Sequence, residues 1–344
     1  MRILFVTHRY PPHTGGVETH VQEIATRLVD RGHDVTVFSA DAGDDVPSKH
    51  TDNGVRVRRF RSLSPSGAFY FAPQIALAVR RADADVVHAH NYHAFPLFFA
   101  ALGVGDERFV ATTHYHGESA SGFRDTLLTF YRAFGEWAVR QADGVIAVSE
   151  WEQARLREDF GVDATVIPNG VDVERFANAE PEERDQRYLL CVGRLESYKG
   201  VQHVIRAMSE LPEYDLVITG SGPYRDELER VAREEGVGDC VDFLGYIDDE
   251  RLPELYAGAD VYVTMSEFEA YGMTVAEALA AGTPCVVREK GALQDWSNKD
   301  GVYGIKTRSN QEFSIALRRA VSHVRPSASI PTWDEVVEQV VQVY

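Results

Sequence analysis

The chain has 344 residues, 44% of them hydrophobic and 26% charged, which excludes a disordered or fibrous protein and leaves room for two ordinary domains. Its 53 acidic residues outnumber 35 basic ones, the formal charge is −18, and only five of the basic residues (Lys49, Lys199, Lys290, Lys299, Lys306) are lysine. That balance argues against a protein that coats nucleic acid and fits a surface hydrated at high salt, as in a halophile.

Taken in chain order, short apolar runs alternate with amphipathic segments, the pattern of parallel α/β units. Strands are predicted at Ile3–Thr7, Val35–Ser39, Val86–His88, Phe109–Thr113 and Val145–Val148. A helix with Val17, Val21, Ile24 and Leu28 on one face separates the first two and ends at Gly32. Glu174–Arg187 holds eight charged residues in fourteen and reads as a solvated connector. A second series follows, with strands at Tyr188–Val192, Leu216–Thr219, Val241–Leu244, Val261–Thr264 and Cys285–Val287. Helical patterns fill its gaps at Val201–Ser209, Tyr224–Glu234, Leu252–Ala257 and Thr274–Ala281. The expected organisation is an α/β chain of two Rossmann-like, doubly wound lobes facing a cleft, with domains at 1–172 and 188–330 joined by a linker at 173–187. The stretch from Thr332 to Val341 reads as a final amphipathic helix within 331–344.

Cys191, Cys240 and Cys285 form no C-x-x-C pair, so three thiols in a reducing compartment are expected. The sequence runs directly into Met1-Arg2-Ile3-Leu4, without a long apolar leader core. Its longest apolar stretch, near Ala94–Val104, is shorter than the ~20 residues that span a bilayer. A cytoplasmic protein, or one at the cytoplasmic face of a membrane, is expected.

Three loops carry the chemistry. Gly15-Gly16-Val17-Glu18 opens the first helix, where backbone free of side chains lets a phosphate approach unpaired N–H groups; a turn needed only for packing is the other reading. Gly193-Arg194-Leu195-Glu196-Ser197-Tyr198-Lys199-Gly200 places a guanidinium and an ammonium five residues apart between a strand and a helix, a pairing suited to two phosphates. In Glu267-Phe268-Glu269-Ala270-Tyr271-Gly272-Met273-Thr274-Val275-Ala276-Glu277, a loop glutamate precedes a second one set in an apolar helix. Burying Glu277 there is costly unless it accepts strong hydrogen bonds, which ribose hydroxyls supply; a helix surface is the alternative.

These segments, with Pro168-Asn169-Gly170-Val171-Asp172 and Thr219-Gly220-Ser221-Gly222-Pro223, resemble the retaining family-4 glycosyltransferases of the GT-B fold over nearly the whole chain. The family shows G-G-x-E, P-N-G-V-D, G-R-L-x-x-x-K-G and E-x7-E in this order. The resemblance implies a metal-independent, retaining transfer of a sugar from a UDP- or GDP-sugar to a hydroxyl of a lipid-linked or saccharide acceptor, with no cofactor. Arg194 and Lys199 would neutralise the diphosphate, Glu277 would hold the ribose, and Glu269 and His114 would contact the donor sugar. Gly15 and Gly16 would lie by the phosphates, and the base near Gly245-Tyr246-Ile247. Gly220, Gly222, Tyr271, Gly272, Met273 and Thr274 complete the donor set, and the final helix would pack back on the N-terminal lobe. Ala270-Tyr271 replaces the family's usual Gly-Phe and Met265 a common proline, departures that bear on which sugar is used.

His88, His90, His93, His114 and His116 invite a metal, but no carboxylate–histidine spacing completes a site, so none is expected. From Gly54 to Arg81 there is no acid; Arg56, Arg58, Arg59 and Arg61 with Arg80 and Arg81 form a basic island among aromatics. It suits an anionic leaflet or lipid phosphate at about 1 kcal/mol per basic residue, unless the arginines pair with acids elsewhere. The rival functions are a silent scaffold of the same fold, whose mark would be loss of Arg194, Lys199, Glu269 or Glu277, and a nucleotide-sugar epimerase.

Overall fold

The computed structural model describes residues 1–43, 46–63, 69–117, 122–323 and 325–344, with 122–130 as backbone only. Residues 64–68 of the acid-free island therefore lie outside the described residues. The chain divides into one unit of Met1–Gly170 with Trp333–Tyr344 and another of Val171–Thr332.

The first unit is built on strands β1 (Arg2–Thr7), β2 (Asp34–Ser39), β3 (Lys49–Asp52), β4 (Val55–Arg59), β5 (Val86–His90), β6 (Arg108–Thr112), β7 (Gly144–Ala147) and β8 (Thr165–Val166). They form one sheet in the order β3-β4-β2-β1-β5-β6-β7-β8. All neighbours are parallel except β3 and β4. That pair is a hairpin absent from the sequence reading. Its two-residue turn, Asn53-Gly54, sits at φ 46 and 79, the left-handed backbone a tight hairpin requires. Helices α1 (Gly16–Asp30), α2 (Gln74–Arg80), α3 (Phe95–Gly103), α4 (Gly122–Arg140) and α5 (Glu150–Phe160) complete the connections. Strand β5 is buried along its whole length, as expected of a strand covered on both faces, and this is why such strands read as unbroken apolar runs. The apolar stretch after Ala94 becomes α3, whose Phe95, Phe98 and Phe99 pack with Phe71, Tyr131, Phe134 and Trp137.

The second unit carries β9 (Arg187–Val192), β10 (Tyr214–Thr219), β11 (Val241–Gly245), β12 (Val261–Thr264), β13 (Cys285–Arg288) and β14 (Val302–Ile305), all parallel, in the order β11-β10-β9-β12-β13-β14. Around it lie α6 (Val173–Ala177), α7 (Val201–Ala207), α8 (Arg225–Glu234), α9 (Leu252–Gly258), α10 (Met273–Ala280), α11 (Leu293–Trp296) and α12 (Asn310–Val321).

The expected solvated connector is corrected at this point. Asp172 caps α6 by accepting from Arg175 N, Phe176 is buried against Tyr256, and Glu182 receives both Arg184 and Arg251. Glu182, Arg184 and Arg187 of this segment are used in ion pairs within the second unit. The last helix, α13 (Trp333–Val343), belongs to the first unit: Arg31 donates to Asp334 at 3.0 Å, Arg108 to the Val343 carbonyl at 2.7 Å, and Tyr344 meets His88 at 2.8 Å. Among the described residues no helix is long and apolar enough to cross a membrane.

Candidate donor site in the second unit

Chain order along the second sheet reverses between β9 and β12. In an open parallel sheet such a reversal sends the two following loops to opposite faces and leaves a crevice at the carboxyl edge, where ligands bind. The β9 loop carries Arg194 and Lys199, and the β12 loop carries Glu269. Lys199 Nζ reaches Glu269 Oε1 at 2.6 Å, so the pair spans the switch point. Burial works against the Lys199 ammonium, but the charge and hydrogen bond of Glu269 outweigh it, and its pKa lies above the ordinary value. Arg194 is exposed, and its charge reaches Lys199.

Backbone contacts hold these loops in place. Leu195 N donates to Ser221 O at 2.9 Å, Gly220 N to Gly245 O at 2.7 Å, and Glu267 N to Tyr198 O at 2.9 Å. Gly220 (φ 124) and Gly222 are required by this crossing: a Cβ on either would collide with the carbonyl of Gly193 or Leu195. Tyr246 follows at the end of β11, 64% exposed, beside the half-buried Ile247.

Gly272, with φ 100, caps α10, so the free N–H groups of its first turn begin at Met273. Glu277 lies one turn further on. Tyr256 donates to its Oε2 at 2.9 Å, leaving Oε1 without a partner among the described residues. Burial raises its pKa, and the Tyr256 hydrogen bond and the nearby Arg175 guanidinium only partly offset this. Two residues of the donor set turn inward instead. Thr274 accepts from Tyr262 at 2.6 Å, and Tyr271 is buried against Trp296, whose indole donates to the Tyr271 carbonyl at 2.6 Å. Tyr256 and Arg175 were missed because nothing in their local sequence marks them; they meet Glu277 only through packing of α6, α9 and α10. Glu267, two residues before Glu269, is held by Arg288, Lys290 and Arg308 and braces the loop.

The remaining sequence-predicted residues are in the first unit. Gly15 and Gly16 open α1, and the Glu18 carboxylate folds back so closely that a Cβ on Gly15 would stand 2.5 Å from Oε2. Glu18 is itself paired with Arg9 at 2.5 Å and His8 at 3.4 Å. His114 follows β6 at φ 47, a left-handed conformation rare for a residue other than glycine. Glu152 secures it from both sides, accepting from Thr113 Oγ1 and from Tyr115 N at 2.5 Å, and also from Val148 N at 2.6 Å. Burial nevertheless pushes the Glu152 carboxyl up to about 7.

The basic island also needs correction. Arg56 and Arg58 project from one face of β4 and are exposed, as is Arg61. Arg59 points the other way and is buried: it pairs with Asp41 at 2.6 Å and donates to the carbonyls of Tyr10 and Pro11. Strand alternation removes it from any surface patch.

Two α/β units, one with cations and carboxylates at the switch point of its parallel sheet, define a two-domain α/β protein with a candidate ligand site at that edge. Residues 14–175 match Glycosyltransferase Family 4, and residues 172–324 match Glycosyl transferases group 1. A glycosyltransferase of Methanocaldococcus jannaschii is 31% identical, over all of this chain and 98% of its own. The GDP-mannose-dependent α-(1-6)-phosphatidylinositol monomannoside mannosyltransferase of Mycolicibacterium smegmatis is 32% identical over 85% of this chain and 82% of its own. The solved structure of Anabaena HepE with UDP and glucose shares the fold at TM-score 0.78 and 20% identity, over 99% of this chain and 98% of that one. The chain belongs to the family-4 glycosyltransferases of the GT-B fold. It is an enzyme of sugar transfer.

Proposed function

We propose that the protein moves a sugar, with retention of configuration, from a nucleoside-diphosphate sugar to a hydroxyl of a lipid-linked or saccharide acceptor. The observation that carries this reading is the Lys199–Glu269 pair across the β9–β12 switch point, with the open oxygen of Glu277 on α10. Breaking a sugar–phosphate bond builds negative charge on the departing diphosphate. Cations already in place, Lys199 and Arg194, stabilise that charge most in the transition state, so the transfer step needs no metal. Glu277 Oε1 accepts from the ribose hydroxyls, Glu269 from the sugar hydroxyls, and the free N–H groups at the start of α10 face the phosphate. Tyr246 and Ile247 flank the base. The similarity to a GDP-mannose-dependent enzyme and to a fold neighbour holding UDP supports UDP or GDP as the nucleotide.

For retention, the C1–O bond to the diphosphate breaks and the acceptor oxygen bonds C1 on the same face, while its proton passes to the leaving phosphate oxygen. No side-chain nucleophile is needed. A trapped glycosyl–enzyme ester would overturn this route. The similarity to a phosphatidylinositol monomannoside mannosyltransferase, with Arg58 exposed on β4, supports a lipid-linked acceptor, although Arg56 beside it is paired with Asp34 at 2.6 Å.

Calorimetry with UDP, GDP, ADP and their sugar conjugates, at low and molar salt, tests the reading. One nucleotide is expected to bind selectively and to bind roughly 10–100-fold more weakly to Glu277→Ala. A folded protein that binds none of them would be a silent homologue of the fold, and conversion of a donor without acceptor would make it an epimerase.

A further inference from the structure

Glu277 accepts one hydrogen bond among the described residues, and its donor stands on a neighbouring helix. Tyr256, on α9, is fully buried and gives its hydroxyl proton to Glu277 Oε2 at 2.9 Å. The ring behind that hydroxyl is fixed. Phe176 meets it edge-on at 5.8 Å, Tyr262 lies against it at 5.6 Å, and the Tyr256 carbonyl accepts from Thr283 Oγ1 at 2.5 Å. The neighbouring phenol does not compete, because the Tyr262 hydroxyl is spent on Thr274. Glu277 itself is half-buried, and the residues on either side of it, Ala276 and Ala278, are buried and apolar.

We propose that Tyr256 is a positioning residue of the donor site, which holds Oε2 of Glu277 so that Oε1 faces the ribose of the nucleotide. This rests on the ribose role proposed for Glu277. Two effects follow from the one bond. The oxygens of a carboxylate share a carbon, so anchoring Oε2 on a rigid ring gives Oε1 one direction and removes rotamers that a free helix glutamate samples. The same bond favours the charged form, which is the acceptor that ribose hydroxyls need.

The groups around the pair assign that second effect to Tyr256. Burial drives the Glu277 carboxyl above its ordinary pKa; the Tyr256 hydrogen bond is the larger restraint on the rise and the Arg175 guanidinium of α6 the smaller, while Asp249, in the loop before α9, adds to it. Arg175 acts only through space, since it donates to the Asp249 carbonyl. Behind Tyr256 stand Tyr262 on β12 and Cys285 on β13, which burial holds well above their ordinary pKa values and therefore neutral where Glu277 titrates. Burial and the Glu277 charge raise the Tyr256 phenol in the same way, so it remains a donor throughout.

The test is Tyr256→Phe in the full chain, which removes the hydroxyl and keeps the ring between Phe176 and Tyr262. Carbon-13 NMR of glutamate-labelled protein, with Glu277→Gln to identify the signal, should show the Glu277 carboxyl titrating about one pH unit higher in the variant, the effect of one charge-assisted hydrogen bond. Calorimetry with UDP-glucose, GDP-mannose and ADP-glucose, whose diphosphates have no second ionisation near neutral pH, should give an affinity that falls on acidification from a midpoint raised by the same amount. At the wild-type midpoint the variant should bind roughly 5-fold more weakly, and the gap should narrow as pH rises. In a Glu277→Ala background Tyr256→Phe should cost nothing further, because it acts through that carboxylate. An unchanged midpoint in the variant, or an equal loss in the Glu277→Ala background, overturns the proposal and leaves Tyr256 as packing. In that case Glu277→Ala still weakens the nucleotide sugar and the donor reading stands. A folded wild type that binds none of the three nucleotide sugars, with the NMR shift present, overturns the ribose role itself and the positioning with it.

Discussion

The carboxyl edges of the two sheets are built alike and used differently. At the edge of the second, Lys199, Arg194, Glu269 and Glu277 keep charge at or near solvent, each with bonding capacity left for a ligand. At the edge of the first, Arg59, Asp41, Glu18 and Glu152 are turned inward and consumed by the protein itself, and the histidines beside them are buried and neutral. A charged residue type at a strand end is therefore no guide to function alone; what separates the two edges is whether its bonding capacity is already spent.

That contrast sets the order of expected effects. Arg59→Ser should be the most damaging, because it strands Asp41 in the interior: a loss of about 3–5 kcal/mol of unfolding free energy by denaturant titration, against less than ~0.5 for Arg56→Ser. Similar stabilities for the two variants would break the comparison. Lys199→Ala should leave stability nearly unchanged yet cut kcat by roughly 10²–10³-fold, about 3–4 kcal/mol of transition-state stabilisation, in a donor-turnover assay.

Glu152 is expected to reveal itself through pH. Its folded pKa is about 7 against an unfolded 4.5, so the fold holds its proton more tightly. The stability this contributes, up to about 3 kcal/mol, is complete below about pH 4.5 and lost as pH rises through 7. Unfolding curves of Glu152→Gln should lack that fall, and a variant that keeps the wild-type slope would show that another group causes it. Smallest of the four, Glu277→Ala should weaken nucleotide binding by roughly 10–100-fold by calorimetry, the value of one or two charge-assisted hydrogen bonds. Because burial raises the pKa of Glu277, wild-type affinity should begin to fall, on acidification, above the ordinary glutamate range.

Much of this was legible in the sequence. Both doubly wound sheets follow from apolar periodicity, and Arg194, Lys199, Glu269 and Glu277 stand out in or beside loops next to strand ends, which are local features; the Lys199–Glu269 ion pair and the close crossing at Gly220 and Gly222 appear only in the structure. The connector was misread because its charge count resembled a solvated linker, whereas Asp172, Phe176 and Glu182 use it to build the second unit. The basic island was misread at Arg59, whose inward face depended on the register of a hairpin not foreseen.

By itself, then, the sequence determined the two-sheet organisation, the family and the candidate residues at the carboxyl edge of the second sheet, since these rest on spacing within single strand–loop–helix units. Only the tertiary structure decided which charges are already paired and which histidines meet. His20, His90 and His114 come from a helix, a strand and the loop after another strand, 70 and 24 positions apart along the chain. Their convergence depends on β1, β5 and β6 lying side by side beneath α1, a packing relation that no local periodicity encodes.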